Sequence, residues 1–263
     1  AKHFAGYGFT ESGKEYNSVD VGTQTLYNVI MPPFKATIDA GVRTFMNSFS
    51  QLNGVPATGS KFLQRDILKR DWNFDGFVVS DWGSIEEMVE HGYAKDEKEA
   101  AQLAVEAGSD MDMQSLSYVE NLADLVKSGF VDEKLIDDAA RRILRVKFEL
   151  GLFDDPYKYC DLSRESKILG NQNLHDASLD MAKKSIVLLK NQNQILPLKK
   201  EGLNIALIGD LANDKTSPLG NWILAAEKNS AVSVLEGLKS YSGNNVEFSV
   251  GTKLNIGALE FAK

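Results

Sequence analysis

The sequence of 263 residues holds a single cysteine, Cys160. One thiol excludes a disulfide framework and any cysteine-based metal motif. No apolar run approaches the ~18 residues of a membrane span. Cations are in the minority: 29 Lys and Arg stand against 37 Asp and Glu, a net charge of −8. No basic cluster offsets that balance, so no nucleic-acid partner is expected. The apolar run at 205–209 is followed by Asp210 but by no Gly-rich phosphate loop, which argues against a nucleotide-binding α/β protein. His91 and His175 have no evident metal partners, so packing or surface roles are expected for them and no metal is. Internal repeats and low-complexity tracts are absent. The chain opens on Ala1 with no signal-peptide pattern behind it, and residues 257–263 carry no stop signal. A piece of a longer polypeptide is therefore expected, with the remainder of that polypeptide as a partner.

What is present fits a globular protein with a real core, 43% apolar and 25% charged, of one or two domains. Helix and strand signals alternate. Residues 23–40 read as a helix interrupted at Pro32-Pro33, and 41–46 as a short strand. Residues 60–72 read as a helix and 77–80 as a strand. Ser84 and Glu87 have capping-box spacing, which predicts a helix start there. Asp96 and Glu99 repeat that signature ahead of a helix closed by Gly108. A short strand end at 110–113, a helix at 117–128 and a long helix capped by Asp132 follow. Strands alternating with helices imply βα units around a parallel sheet. About three units precede Gly151, and Lys2-His3 reads as the tail of a fourth strand. A closed (β/α)8 barrel takes ~250 residues, so a barrel here lacks roughly its first half. Residues 154–170 read as a linker. Beyond it lies a second α/β segment with helices at 174–184 and 231–241 and strands at 186–189, 205–209 and 246–250.

Asp81 stands out. It ends the apolar strand Phe77-Val78-Val79-Ser80 and precedes Trp82-Gly83. Active sites of α/β folds gather at the carboxyl ends of such strands, so a carboxylate there is a candidate for chemistry. An N-cap or loop-fixing aspartate fits the local pattern equally well.

The run from Ile67 to Ser84, Ile-Leu-Lys-Arg-Asp-Trp-Asn-Phe-Asp-Gly-Phe-Val-Val-Ser-Asp-Trp-Gly-Ser, resembles the active-site signature of glycoside hydrolase family 3. Lys2-His3-Phe4, Met46-Asn47-Ser48-Phe49 with Leu52-Asn53-Gly54-Val55-Pro56-Ala57, and Ser185 to Asn191 with Leu196-Pro197-Leu198 resemble further family segments, in order. The likeness spans essentially the whole chain and is nearest to bacterial β-glucosidases. It implies the C-terminal part of a TIM-type (β/α)8 barrel over 1–153, a linker over 154–170 and the start of an α/β sandwich domain over 171–263. It also implies retaining hydrolysis of an oligosaccharide or an aryl or alkyl β-glycoside, with no cofactor, in a periplasmic or secreted protein. Asp81 is then the nucleophile. Retention needs a second carboxyl group about 5 Å away. The family's spacing puts that acid/base just past Lys263, so Glu87 is read as a capping-box residue and Glu86 as a helix-dipole residue. Lys2 and His3 would bind sugar hydroxyls. Trp82 would face the sugar or simply be a core aromatic, and Met46 would line the pocket or simply pack. Phe49 departs from the tyrosine that many members carry. Ala5-Gly6-Tyr7-Gly8-Phe9 after Lys2-His3, with Glu15-Tyr16-Asn17-Ser18-Val19-Asp20 later, points away from the N-acetylglucosaminidase branch, towards β-glucosidases or β-xylosidases. A non-catalytic carbohydrate-binding piece lacking the acid/base is the reading from another class.

Overall fold

The computed structural model describes residues 1–169, 171–220, 223–224 and 226–251. It divides into two compact units, Ala1–Glu165 and Ser166–Lys263. In the first unit, strand β1 (Thr44–Met46) pairs in parallel with β4 (Phe77–Val79), in the register Thr44↔Phe77 and Met46↔Val79. Isolated parallel bridges flank this pair, Phe4 to Asn47 on one side and Val79 to Met111 on the other. Four parallel strand positions thus lie side by side in chain order, each followed by helical chain. That is the βα arrangement expected of a partial barrel. A small antiparallel hairpin, β2 (Gln51–Leu52) with β3 (Val55–Pro56), sits in the loop after β1.

Period-two alternation explains the layering. Phe4, Phe45 and Val78 are fully buried and pack in one cluster with Leu63, Ile67 and Leu68 of the following helix. Met46 and Val79, out of phase with them, are only half-buried. Two steps beyond Val79 comes Asp81.

Pro32 and Pro33 do not interrupt their helix. It runs through α1 (Thr23–Thr25), a π-helical stretch Leu26–Ile30, and α2 (Met31–Asp39). The Met31 amide donates to Leu26 O, five residues back. Two consecutive prolines offer no N–H to the preceding turn, and the wider π-turn ahead of them accommodates the loss. The helix Phe62–Asp71 is also π-wound and closes with Trp72 N–H on Ile67 O.

The Ser84 capping box is not formed. The helix after Asp81 is α3 (Glu87–Glu90), and its N-cap is Glu86, with no side-chain capping bond. Ser84 is buried, and its Oγ lies 2.8 Å from Thr58 Oγ1. That bond withdraws the hydroxyl from the helix end. The other caps hold. Asp96 accepts from Glu99 N–H at the head of α4 (Glu97–Ala107), and Gly108 closes it at φ 106°. After α5 (Ser117–Lys127), Asp132 caps α6 (Glu133–Glu149).

Helix α7 (Leu162–Leu169) falls inside the segment read as a linker. In the second unit α8 (Gln172–Ser185) precedes β5 (Glu201–Ile208), which pairs in parallel with β6 (Gly243–Ser249). Between them α9 (Val234–Lys239) starts at a complete capping box of Ser233 and Glu236. The expected strand at 186–189 is not formed: Ile186, Val187, Leu188 and Leu189 are exposed, with no ladder partner among the described residues.

Candidate active site

The loop after β4 is pinned from below. Ser80 N–H donates to Met111 O, and Ser80 Oγ accepts from Met113 N–H at 2.7 Å. Gly83, at φ 69°, donates to Met113 O. Ser84 N–H returns to Asp81 O, and its hydroxyl is held by Thr58. Thr58 belongs to a buried polar network: its carbonyl accepts from Gln64 Nε2 and Ser109 Oγ, and Ser109 Oγ accepts from Asn47 Nδ2. Asp81 is therefore carried on a turn held in place by buried hydrogen bonds.

Asp81 caps no helix, so the N-cap reading falls. Its Oδ1 accepts from the next amide, Trp82 N–H, at 2.7 Å. Its Oδ2 is buried and has no hydrogen-bond partner among the described residues. His3 Nε2 stands 3.3 Å from that oxygen without forming a hydrogen bond. Buried polar atoms are normally paired, and each exception calls for an explanation; Asn47 Oδ1, Ser50 Oγ and Ser117 Oγ are the others among the described residues, and Asp81 Oδ2 is the carboxylate oxygen of the set. Burial lowers the His3 pKa, against the pull of Asp81 and Glu15 and with the push of Lys2. That direction disfavours the imidazolium and favours His3 as a hydrogen-bonding group over a counter-ion.

The structure brings His3 and Asp81 together. Lys2 is exposed beside His3, and both line an open cleft of about 360 Å³ with Tyr7 and Phe9. Trp82 is 59% exposed, so it is not a core aromatic. It borders a second cleft of about 470 Å³ with Gly83, Glu86, Glu87 and Gln114. Met46 is in register with Val79, two residues before Asp81 on the same strand face. His91 packs, its Nε2 lying 3.2 Å from Phe49 O. Asp110 is structural: it is buried against Lys69 and accepts from Val78 N–H. Asp112 binds Ser115 Oγ and Tyr118 N–H.

Glu87 has no capping bond. It is half-buried, and burial first, then Asp81 and Glu86, raise its pKa. Three further residues, Tyr7, Glu15 and Tyr16, lie in segments whose sequence served only to separate subfamilies, with no site role given to them. The Tyr7 ring meets His3 edge-on at 5.1 Å, and its hydroxyl donates to Glu15 Oε1 at 2.6 Å. The Tyr16 ring lies 4.6 Å from Phe49. The available signal was an aromatic–carboxylate mixture, bracketed by glycines, directly after Lys2-His3.

Two family models match the chain: glycosyl hydrolase family 3 N terminal domain over residues 1–146, and glycosyl hydrolase family 3 C-terminal domain over residues 186–258. A periplasmic beta-glucosidase of Salmonella typhimurium is 42% identical over 97% of the chain, which covers 34% of that protein. A beta-xylosidase of Formosa agariphila is 36% identical over 97% of the chain and is covered to 37%. The crystal structure of a beta-glucosidase from Listeria innocua in complex with glucose superposes with a TM-score of 0.81 at 39% identity, with 99% of this chain and 36% of that one covered. The chain spans about a third of the length of these relatives.

Proposed function

Since the chain belongs to glycosyl hydrolase family 3, we propose that the protein carrying it is a retaining β-glycosidase with Asp81 as nucleophile. The observation that carries this reading is the unpaired, buried Oδ2 at a strand tip. Oδ2 attacks the anomeric carbon as the glycosidic C–O bond breaks. The departing oxygen takes a proton from an acid/base carboxyl group, assigned here to a position outside the described residues. That group then removes a proton from water, which displaces Asp81 from the glycosyl-enzyme and restores it. His3 and Lys2 hold hydroxyls of the reacting ring, and Met46 floors the pocket. Trp82 offers its exposed face to the sugar's C–H groups.

The substrate is a glycoside with terminal, non-reducing β-linked glucose. A β-xyloside is the second reading, favoured by the likeness to beta-xylosidases. A periplasmic or secreted location follows the Salmonella relative, and no helix among the described residues is long and apolar enough to cross a membrane. The domain reading assigns 1–153 to the barrel and 171–263 to the sandwich domain, with 154–170, which includes α7, between them.

A 2-deoxy-2-fluoro β-glucoside carrying a good leaving group should label the full-length protein on Asp81, found by peptide mapping. Asp81→Ala should lower kcat by about a thousandfold or more, and azide should rescue it as the α-glycosyl azide. A label elsewhere, or near-normal turnover by Asp81→Ala, removes Asp81 from the role.

A further inference from the structure

We infer that the loop of residues 6–18 is a preformed wall of the sugar site, with the Tyr16 ring as its platform and Glu15, tied back by Tyr7, as its acceptor for sugar hydroxyls. The inference rests on the glycosidase reading and extends it to residues that reading does not use.

The loop is built to hold one shape. Glu11 N–H donates to Ser18 O across its base, and Asn17 Nδ2 reaches Glu11 O. Val19, just beyond, exchanges backbone bonds with Gln51 and Asn53 of the hairpin after β1. Its interior contains Ser12 at φ 57° and Tyr16 at φ 65°. A bulky side chain in the left-handed region is an outlier that persists only where the surroundings fix it. Here that backbone lays the Tyr16 ring on Phe49, at 4.6 Å and a 52° tilt. Phe49 itself is buried, while Tyr16 remains 44% exposed. One side of the phenol ring rests on the protein and the rest is open. A strained, exposed aromatic makes little sense as packing and good sense as a ligand platform.

The polar half lies beside it. Tyr7 Oη occupies Glu15 Oε1 and leaves Oε2 with no partner among the described residues. A carboxylate held on one oxygen accepts from a hydroxyl on the other at little further entropic cost. The Tyr7 ring touches His3, and His3 touches Asp81 Oδ2. The wall is thus continuous with the nucleophile through three successive contacts. Burial, then Glu87, Glu15 and Asp81 in turn, raise the Tyr16 pKa, which agrees with a phenol facing the same space as those carboxylates. An aromatic face next to a free carboxylate oxygen recognises a ring that is apolar on one face and hydroxylated at its edge. A pyranose is such a ring.

The test uses the full-length protein with Tyr16→Ala, Tyr16→Phe, Glu15→Gln and Tyr7→Phe. KM and kcat are measured on an aryl β-glucoside, and Ki is measured for glucose. Tyr16→Ala and Glu15→Gln should each raise KM and the glucose Ki by roughly tenfold while kcat stays within about threefold, the pattern of lost binding. Tyr16→Phe, which keeps the ring, should recover most of the binding that Tyr16→Ala loses. Tyr7→Phe should move Ki in the same direction as Glu15→Gln, since it unties the carboxylate. If Tyr16→Ala does not fold, Glu15→Gln and Tyr7→Phe decide alone. Unchanged KM and Ki in those two variants, with Asp81 labelled normally, overturns the wall and leaves the nucleophile standing. Failure of the fluoroglucoside to label Asp81 in the wild type, with the Ki shifts intact, does the reverse.

Discussion

Glu87 carries a carboxyl group whose charge the fold opposes. Burial raises its pKa above the ordinary 4.5, and Asp81 and Glu86 add to that. Because the folded state holds this proton more tightly than the unfolded chain, stability falls as pH rises through the window above about 4.5. Glu87→Gln removes the charge and should raise Tm at pH 7. That gain should shrink as the pH drops into the ordinary carboxyl range, where both side chains are neutral. A gain that persists undiminished at pH 4, or none at pH 7, contradicts the argument. The same variant should keep its turnover, since the acid/base is assigned elsewhere. Residue by residue, the sequence exposed Asp81 because a charge after three apolar strand residues breaks a pattern. It misread Ser84 because capping depends on where a hydroxyl points, and Thr58, 26 residues earlier, claims that hydroxyl. Tyr7, Glu15 and Tyr16 separated subfamilies in the sequence, but their place beside His3 and Phe49 was hidden for a related reason: a loop with left-handed residues has no period to read.

Elements were legible where their contacts are local. The starts of α4 and α6 and the end of α4 follow from Asp96, Asp132 and Gly108, each acting on its own turn. The run at 186–189 reads as a strand, but apolarity cannot supply the neighbour a strand needs. Nor does the 3.6-residue pattern reveal what fastens the helix Phe62–Asp71 to the sheet. Lys69 Nζ donates to Asp110 Oδ1 at 2.6 Å and to Gly108 O at 2.8 Å, while Asp110 Oδ2 accepts from Val78 N–H. Both side chains are buried, and burial pushes the Lys69 pKa down to about 8 against the pull of Asp110. Removing one partner strands the other charge. Lys69→Met should therefore cost about 3–5 kcal/mol in a denaturant titration. Adding Asp110→Asn, which keeps an acceptor for Val78 without the charge, should recover most of that loss. A double variant no more stable than Lys69→Met would show that the pair contributes through shape rather than charge.

At the largest scale, the acidic balance of the chain predicts discrimination against anionic substrates. The chain carries a net −8, and the carboxyl groups of Asp81, Glu15 and Glu87 all bear on Tyr16 at the site. Against them stands Lys2, while burial lowers the His3 pKa and so disfavours a second positive charge. A neutral pyranoside meets this field without penalty. A β-glucuronide brings a carboxylate into it. One fixed carboxylate roughly 8 Å away, at an effective dielectric constant of about 20, costs about 2 kcal/mol, or roughly thirtyfold in kcat/KM. Screening weakens such repulsion, because the Debye length falls from about 30 Å at 0.01 M salt to about 8 Å at 0.15 M. For the full-length protein, kcat/KM on an aryl β-glucoside should move by less than about twofold between those salt concentrations. On the matching glucuronide it should begin at least about thirtyfold lower and rise with salt. Equal turnover of the two at low salt would mean that Lys2 offsets the surrounding carboxylates, and the acidic balance of the chain would then play no part in selection.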